Sequence, residues 1–207
     1  VGVMGNTNPN GVAAFDPEEY GPGSEADGFL MLNGDQREAI EAAVAAWEAV
    51  TNVDFVRNTT EPAKITTHTE TSTSVGDIRF GMTNTGLSVD DAGVVNAGAH
   101  AYHPSINDLA RYGDIWLYRA GFESQSIAPG TGNFETVLHE MGHAVYGLID
   151  VTRNVGLLGS DIRGTVWDND LWTVMSYRST VAASNVTPMY LDIVASRGIN
   201  GVFEVFN

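Results

Sequence analysis

Residues 138–150 read LHEMGHAVYGLID, and the reading of the whole chain turns on them. In the surrounding segment 133–147, Phe134, Val137, Leu138, Met141 and Val145 form one apolar stripe that Leu148 extends, the 3.6-residue period of an amphipathic helix. Gly147 supplies a stop signal, since helices commonly end on a left-handed residue that only glycine adopts freely. His139 and His143 take two of the five histidines in the chain. Lying four apart on a helix, both imidazoles leave one face about one turn apart. That spacing lets two ring nitrogens reach a single metal ion at roughly 2.0–2.1 Å each. Glu140 is rotated about 100° from His139, so it faces a water beside the ion instead of joining the ligand shell. That is where a general base stands. Two unrelated, hydrogen-bonded histidines would be the plainer reading. Against it, H-E-x-x-H arises by chance in about one chain in a few hundred of this length, and here it falls on an independently expected helix.

Imidazole ligands with a carboxylate and an open position suit hydrolytic zinc. Such an ion polarises a carbonyl and acidifies water. Glu140 would then take the water's proton and pass it to a leaving amine, which makes peptide hydrolysis the expected reaction.

The bulk composition is compatible with that chemistry and excludes some others. With 207 residues, 43% of them hydrophobic, the chain can bury one sizeable core. Its 26 acidic residues against 10 basic ones leave a net charge of −16, so nucleic acid and anionic membrane surfaces are not expected partners. The acidic surface reads as solubility, with adaptation to a salty medium as the sharper alternative. There is no cysteine, hence no disulfide or thiol chemistry. No apolar run approaches a transmembrane span. No signal peptide is visible and Val1 is not a start methionine, so a pre- or pro-segment is expected to have preceded it.

Upstream, residues 1–32 are rich in Gly, Asn and Pro and read as mostly irregular, pinned to a sheet edge. NGDQREAIEAAVAAWEAV, with Ile40, Val44 and Trp47 at helical spacing, predicts a helix over 35–50, started by Asn33 or Asp35. Strands are expected at 53–56, 76–81, 94–102 and 113–119. The last element begins at TPMYLDIVASRG, with Thr187 as cap, Pro188 in the first position and Gly198 past the end. Strands first and helices to one side argue an α+β chain.

These pieces, in this order, resemble the catalytic domain of the serralysin-type metzincin zinc proteases. The likeness runs over most of residues 30–200. It rests on the helix REAIEAAVAAWEAVTNVDF, the strand GDIRFG, AHAYHP followed by GDIWLY, ETVLHEMGHAVYGL, TVMSYRS and TPMYLDIVA. The resemblance implies one catalytic domain over 1–207, divided into subdomains at 147/148. It implies a twisted, mostly parallel sheet with an antiparallel edge strand, packed on two long helices. The active-site helix would lie at the cleft, and a small C-terminal subdomain would end in a helix. It makes Met175 a Met-turn beneath the ion and Tyr177 a further zinc ligand whose phenol also serves catalysis. It lays an extended substrate along Gly98, Ala99, His100, Ala101 and Tyr102, where main-chain pairing gives affinity with little selectivity. His100 and His103 read as surface or structural residues, and His68 has no partner pattern. The likeness also implies a secreted, extracellular monomer with a polypeptide substrate and a proteinaceous inhibitor among its partners.

Two departures stand out. Serralysins normally continue into calcium-binding repeats and a C-terminal secretion signal, whereas this sequence stops at Asn207; either the repeats were removed or this is a minimal member. The family pattern also places a glycine three residues and a third histidine six residues after the second histidine. Here those positions hold Tyr146 and Ile149, and no histidine follows His143. One residue on, the pattern returns as Gly147 and Asp150. Asp150 is the first candidate for third ligand, with Asp161 or an upstream group as alternatives. A calcium site is a further candidate in the acidic loop DIRGTVWDND at 161–170, though a solvated loop is the simpler reading. Two other functions stay open: an inactive metal-binding relative serving as a binding module, and a narrowly specific or self-processing protease.

Overall fold

The structure is a computed structural model that describes residues 2–3, 25–30, 32–56, 78–84, 98–104, 111–151, 162–180 and 183–199. His68, Asp161 and most of the expected irregular N-terminal segment lie outside these residues.

The first long helix, α1 (Gly34–Glu48), starts where the sequence signals it. The Asn33 side chain accepts from the Gln36 amide at 2.9 Å and the Gln36 side chain accepts from the Asn33 amide at 2.8 Å, a reciprocal capping box. Its Ile40, Ala43 and Trp47 are fully buried. The second, α3 (Gly132–Tyr146), is capped by Thr131, whose hydroxyl accepts from the Phe134 amide, and ends on Gly147 at φ 61°. Trp47 joins the two helices: its indole donates to the Leu138 carbonyl at 3.2 Å and its ring packs on Tyr146 with centroids 4.7 Å apart.

Among the described residues, five strands form a mixed sheet in this α+β chain: β1 (Gly2–Val3), β2 (Phe29–Leu30), β3 (Arg79–Thr83), β4 (Ala99–Ala101) and β5 (Asp114–Tyr118). The order is β1-β3-β5-β4, with β2 also on β3. β1 and β5 run parallel to β3, while β2 on β3 and β4 on β5 are antiparallel. Among the described residues the sheet is thus evenly mixed instead of mostly parallel, because the segment before α1 returns as the antiparallel strand β2. The short β1 bears out an N-terminal segment held at the sheet.

Phe80, Met82, Ile115 and Leu117 face the two long helices and form the core with Val137, Leu138, Met141 and Ala144. The opposite sheet face is also buried; it sets Arg79, Thr83 and Asp114 among the aromatic Trp116 and Tyr118, and an ion pair crosses it. Arg79 and Asp114 are register partners, and the guanidinium grips the carboxylate through two bonds of 2.5 and 2.7 Å. Removing one partner of such a pair strands a charge away from water. Asp114→Ala is therefore expected to lower unfolding free energy by about 3–5 kcal/mol in denaturant titration. Beside the pair, a Cβ on Gly81 would lie 2.9 Å from the Trp116 ring, so that strand position requires glycine.

Two expected elements differ. Residues 53–56 form no strand: the Phe55 amide donates to the Glu48 carboxylate at 2.7 Å, while Val53 and Phe55 pack on the core from irregular chain. The closing helix α4 (Tyr190–Ile199) starts two residues later than Thr187–Pro188 suggests and runs through Gly198. Asp192 sets that start by accepting from the Met189 amide at 2.8 Å. A four-residue helix, α2 (Arg119–Phe122), follows β5 directly. Among the described residues, no helix is long and apolar enough to cross a membrane.

Candidate metal centre

Helix α3 delivers His139 and His143 to one spot, and the turn after it brings Asp150 back to the same spot. The two Nε2 atoms lie 3.0 Å apart, and Asp150 Oδ1 lies 3.1 Å from the first and 3.2 Å from the second. Four ligands around a tetrahedral ion with bonds of 2.0–2.2 Å would sit about 3.3–3.5 Å from one another. The triangle is within a few tenths of an ångström of that spacing. Among the described residues, these three form the group able to hold a metal ion.

Hydrogen bonding fixes the ring states. His139 Nδ1 lies 2.7 Å from the Val174 carbonyl and His143 Nδ1 lies 2.6 Å from the Leu148 carbonyl. A carbonyl only accepts, so each Nδ1 carries the proton and each Nε2 keeps its lone pair. Two lone pairs and a carboxylate oxygen then converge in a buried site, and only a cation reconciles them. Without a metal that cation is a proton. Burial opposes charge on His139, but its bond to Asp150 and the charges of Glu140 and Asp150 outweigh burial and push its pKa up to about 9. Burial would raise the Asp150 carboxyl, but its hydrogen bonds to His139 and His143 and the charges of those rings outweigh burial and hold it far below the usual range. The donor set fits a divalent ion with borderline preference, such as zinc.

The turn that positions Asp150 depends on Gly147. Its left-handed conformation lets its amide bond the His143 carbonyl at 3.0 Å and the Leu148 amide bond the Gly142 carbonyl at 3.1 Å. The chain thereby reverses at once. Leu148 orients His143, and two residues on Asp150 faces both rings.

A second segment braces the site from below. Met175 is buried against α3, and a Cβ on Gly142 would lie 2.7 Å from its sulfur, so the helix face between the histidines has to be glycine. The Met175 carbonyl accepts from the Val151 amide at 3.1 Å, tying the Asp150 turn to this segment. Asp192 on α4, fully buried, anchors it by accepting from the Thr173 hydroxyl at 2.5 Å and the Val174 amide at 2.9 Å. Burial pushes the Asp192 pKa up to about 6 despite these donors and that of Met189. Val174 in turn presents its carbonyl to His139. Asp192→Ala leaves three buried donors unanswered and loosens that carbonyl. It is expected to cost on the order of 3 kcal/mol in stability. It should also weaken zinc binding about 10–100-fold in a competition titration with a chromogenic chelator. The sequence signals read around TPMYLDI concern helix boundaries, and none marks Asp192 as this anchor.

Glu140 is 5% exposed, and its Oε2 has no hydrogen-bond partner among the described residues. It lines a cleft with His139, Tyr177, Gly98 and Ala99. Tyr177 is 66% exposed, with its ring 5.4 Å from that of His139. β4 is the sheet edge at this cleft. The Gly98 carbonyl accepts from the Tyr118 amide and the Tyr102 amide donates to the Asp114 carbonyl, with His100 opposite Trp116 between them. By antiparallel alternation, the backbone groups of Ala99 and Ala101 face away from β5.

The side chains of β4 do other work. Ala99 and Ala101 pack on the core. His100 lies on the far sheet face, 2.8 Å from Glu25 and 2.8 Å from the Tyr118 hydroxyl, and the Tyr102 hydroxyl donates to Glu25 at 3.3 Å. That removes His100 from the metal. His103 stacks on His143 with centroids 4.9 Å apart.

In the acidic loop, Asp168 and Asp170 are buried. Asp168 accepts from the Gly164 amide and the Ser176 hydroxyl, while Asp170 accepts from the Ser179 and Thr180 hydroxyls and the Thr180 amide. Carboxylates engaged by donors in this way tie the Tyr177 segment down, and among the described residues those of this loop form no group able to hold a metal ion.

No family model matches the chain, and no curated protein matches it at a significant level.

Proposed function

We propose that this chain is a zinc endopeptidase of the serralysin-like metzincin type. The observation that carries the reading is the convergence of His139, His143 and Asp150 beside a buried Glu140 whose Oε2 has no hydrogen-bond partner among the described residues. Zinc bound there would supply Lewis acidity for the carbonyl and an acidified water. Glu140 takes the proton of the attacking water and returns it to the leaving nitrogen. Ala99 and Ala101 offer main-chain groups to an extended peptide, as an open sheet edge does. Tyr177 stands beside His139, placed to donate its phenol to the developing oxyanion. A binding module without catalysis has no use for a buried carboxylate whose Oε2 finds no hydrogen-bond partner among the described residues, an arrangement that costs stability. A polypeptide partner and an extracellular location go with this reading.

The test pairs metal content by mass spectrometry with cleavage of an unfolded protein, before and after a chelator. About one zinc per chain and activity that returns on zinc addition are expected. A zinc-loaded chain that cleaves nothing would favour the binding module. Tyr177→Phe keeps the ring and removes the hydroxyl, a donor worth roughly 2.7–4 kcal/mol in a transition state. With peptide substrate, kcat should fall about 10²-fold or more while KM changes little; an unchanged kcat would remove Tyr177 from the mechanism.

A further inference from the structure

The cleft beside His139 and Glu140 is an open cavity of about 310 Å³. That is at the lower end for ligand pockets and suits one side chain better than a cofactor. Resting on the peptidase reading above, we propose that this cavity receives the substrate side chain flanking the scissile bond, and that Glu135 selects a cationic one, lysine or arginine.

Glu135 sits four residues before His139, so it projects from the same helix face about one turn back, roughly 6 Å along the axis. It lines the cavity together with the hydroxyl-bearing Thr136, Ser176 and Ser179 and with Asp170. The basic residue among the lining is His139, the candidate ligand. Asp170 is engaged by the hydroxyls and amide of its own loop. Glu135 is held differently. The Asn185 side-chain amide donates to its Oε1 at 2.9 Å and to the Asp170 carbonyl at 2.7 Å. A neutral amide fixes the carboxylate in place without cancelling its charge, and among the described residues no ion pair involves Glu135.

The consequence follows from the cost of burial. An apolar side chain entering the cavity would strip water from Glu135 and give nothing back. A guanidinium or ammonium group would replace that water with a charge-assisted hydrogen bond. The surrounding hydroxyls can accept its remaining protons.

The experiment is a cleavage-site profile of the zinc-loaded chain on a peptide library, followed by kcat/KM on matched peptides carrying Arg, Leu or Glu at the position the profile selects. Arg over Leu should be preferred about 10- to 100-fold, the range a hydrogen bond to a charged group supports. Glu135→Gln keeps an acceptor for Asn185 and should collapse the Arg-to-Leu ratio toward unity. Glu135→Lys should turn the preference toward Glu. A wild-type profile indifferent to charge overturns the proposal without help from any variant, as does an Arg preference that survives Glu135→Gln; either leaves the peptidase reading standing. A zinc-loaded wild type that cleaves no peptide overturns both.

Discussion

Glu140→Gln is expected to retain about one zinc per chain and to lose peptide hydrolysis by roughly 10³–10⁴-fold in kcat/KM. Glutamine fills the same buried volume and keeps an oxygen in the cleft, but it cannot take a proton from water or return one to the leaving nitrogen. Both roles vanish in one substitution. Metal retention is the discriminating part. Glu140 leaves the helix about 100° from His139, and the group that converges on one point is His139, His143 and Asp150 without it. Zinc content by mass spectrometry and initial rates on one peptide settle the matter together. Loss of zinc along with activity would make Glu140 a ligand. Full activity would mean another base.

Asp150→Ala should do the opposite and empty the site. Two imidazoles remain, with Nε2 atoms 3.0 Å apart and no anion to offset a dication. Zinc affinity should fall by more than the 10–100-fold that losing an outer partner costs, and activity should go with it. Asp150→His should not restore either. The segment is fixed at Gly147 on one side and by the Val151–Met175 bond on the other, so the backbone stands too close for an imidazole arm.

The metal-free chain gives an independent readout of the same contact. The His139 pKa is raised to about 9 in the folded state from an unfolded value near 6.5. A raised histidine stabilises fully below the unfolded pKa and loses that contribution as pH climbs through the folded one. The metal-free wild type should therefore lose stability between about pH 6.5 and 9, by an amount on the order of 3 kcal/mol. Asp150→Ala should show a flatter profile there, since the bond to Asp150 is the largest of the contacts that raise the pKa. Identical profiles in denaturant titration would separate Asp150 from His139. In wild type, zinc competes with that proton, so its apparent affinity should rise with pH over the same interval.

Much of this arrangement was legible in the residues. The period of the apolar stripe gave α3, the four-residue spacing put both histidines on one face, and Gly147 marked the end. Asn33 or Asp35 marked the start of α1, and the structure selects Asn33 through its reciprocal bonds with Gln36. β5 was legible because a run of Ile, Trp, Leu and Tyr bounded by Gly113 has few other conformations open to it. The strand expected at 53–56 shows the limit of such patterns. Val53 and Phe55 alternate because they pack on the core, and the Glu48 carboxylate claims the Phe55 amide that a strand would need. Alternation reports which side chains are buried, and irregular chain can bury them too.

Local pattern thus determined the two long helices, the paired imidazoles and the position of the candidate base, because those depend on neighbours three or four residues away. The third ligand was left open between Asp150, Asp161 and an upstream group, and only tertiary packing placed Asp150 at the imidazoles. Tyr146 occupies the position where the family pattern has its glycine, since its ring packs on Trp47 of α1 and its hydroxyl donates to Thr51 at 2.8 Å. The helix therefore runs one residue further before Gly147 can turn it. Val151 then bonds Met175, and Asp192, more than fifty residues after His139, holds the segment that orients His139. Contacts at such separations are set by how the helices and the C-terminal segment pack on one another. No period of three or four residues records them.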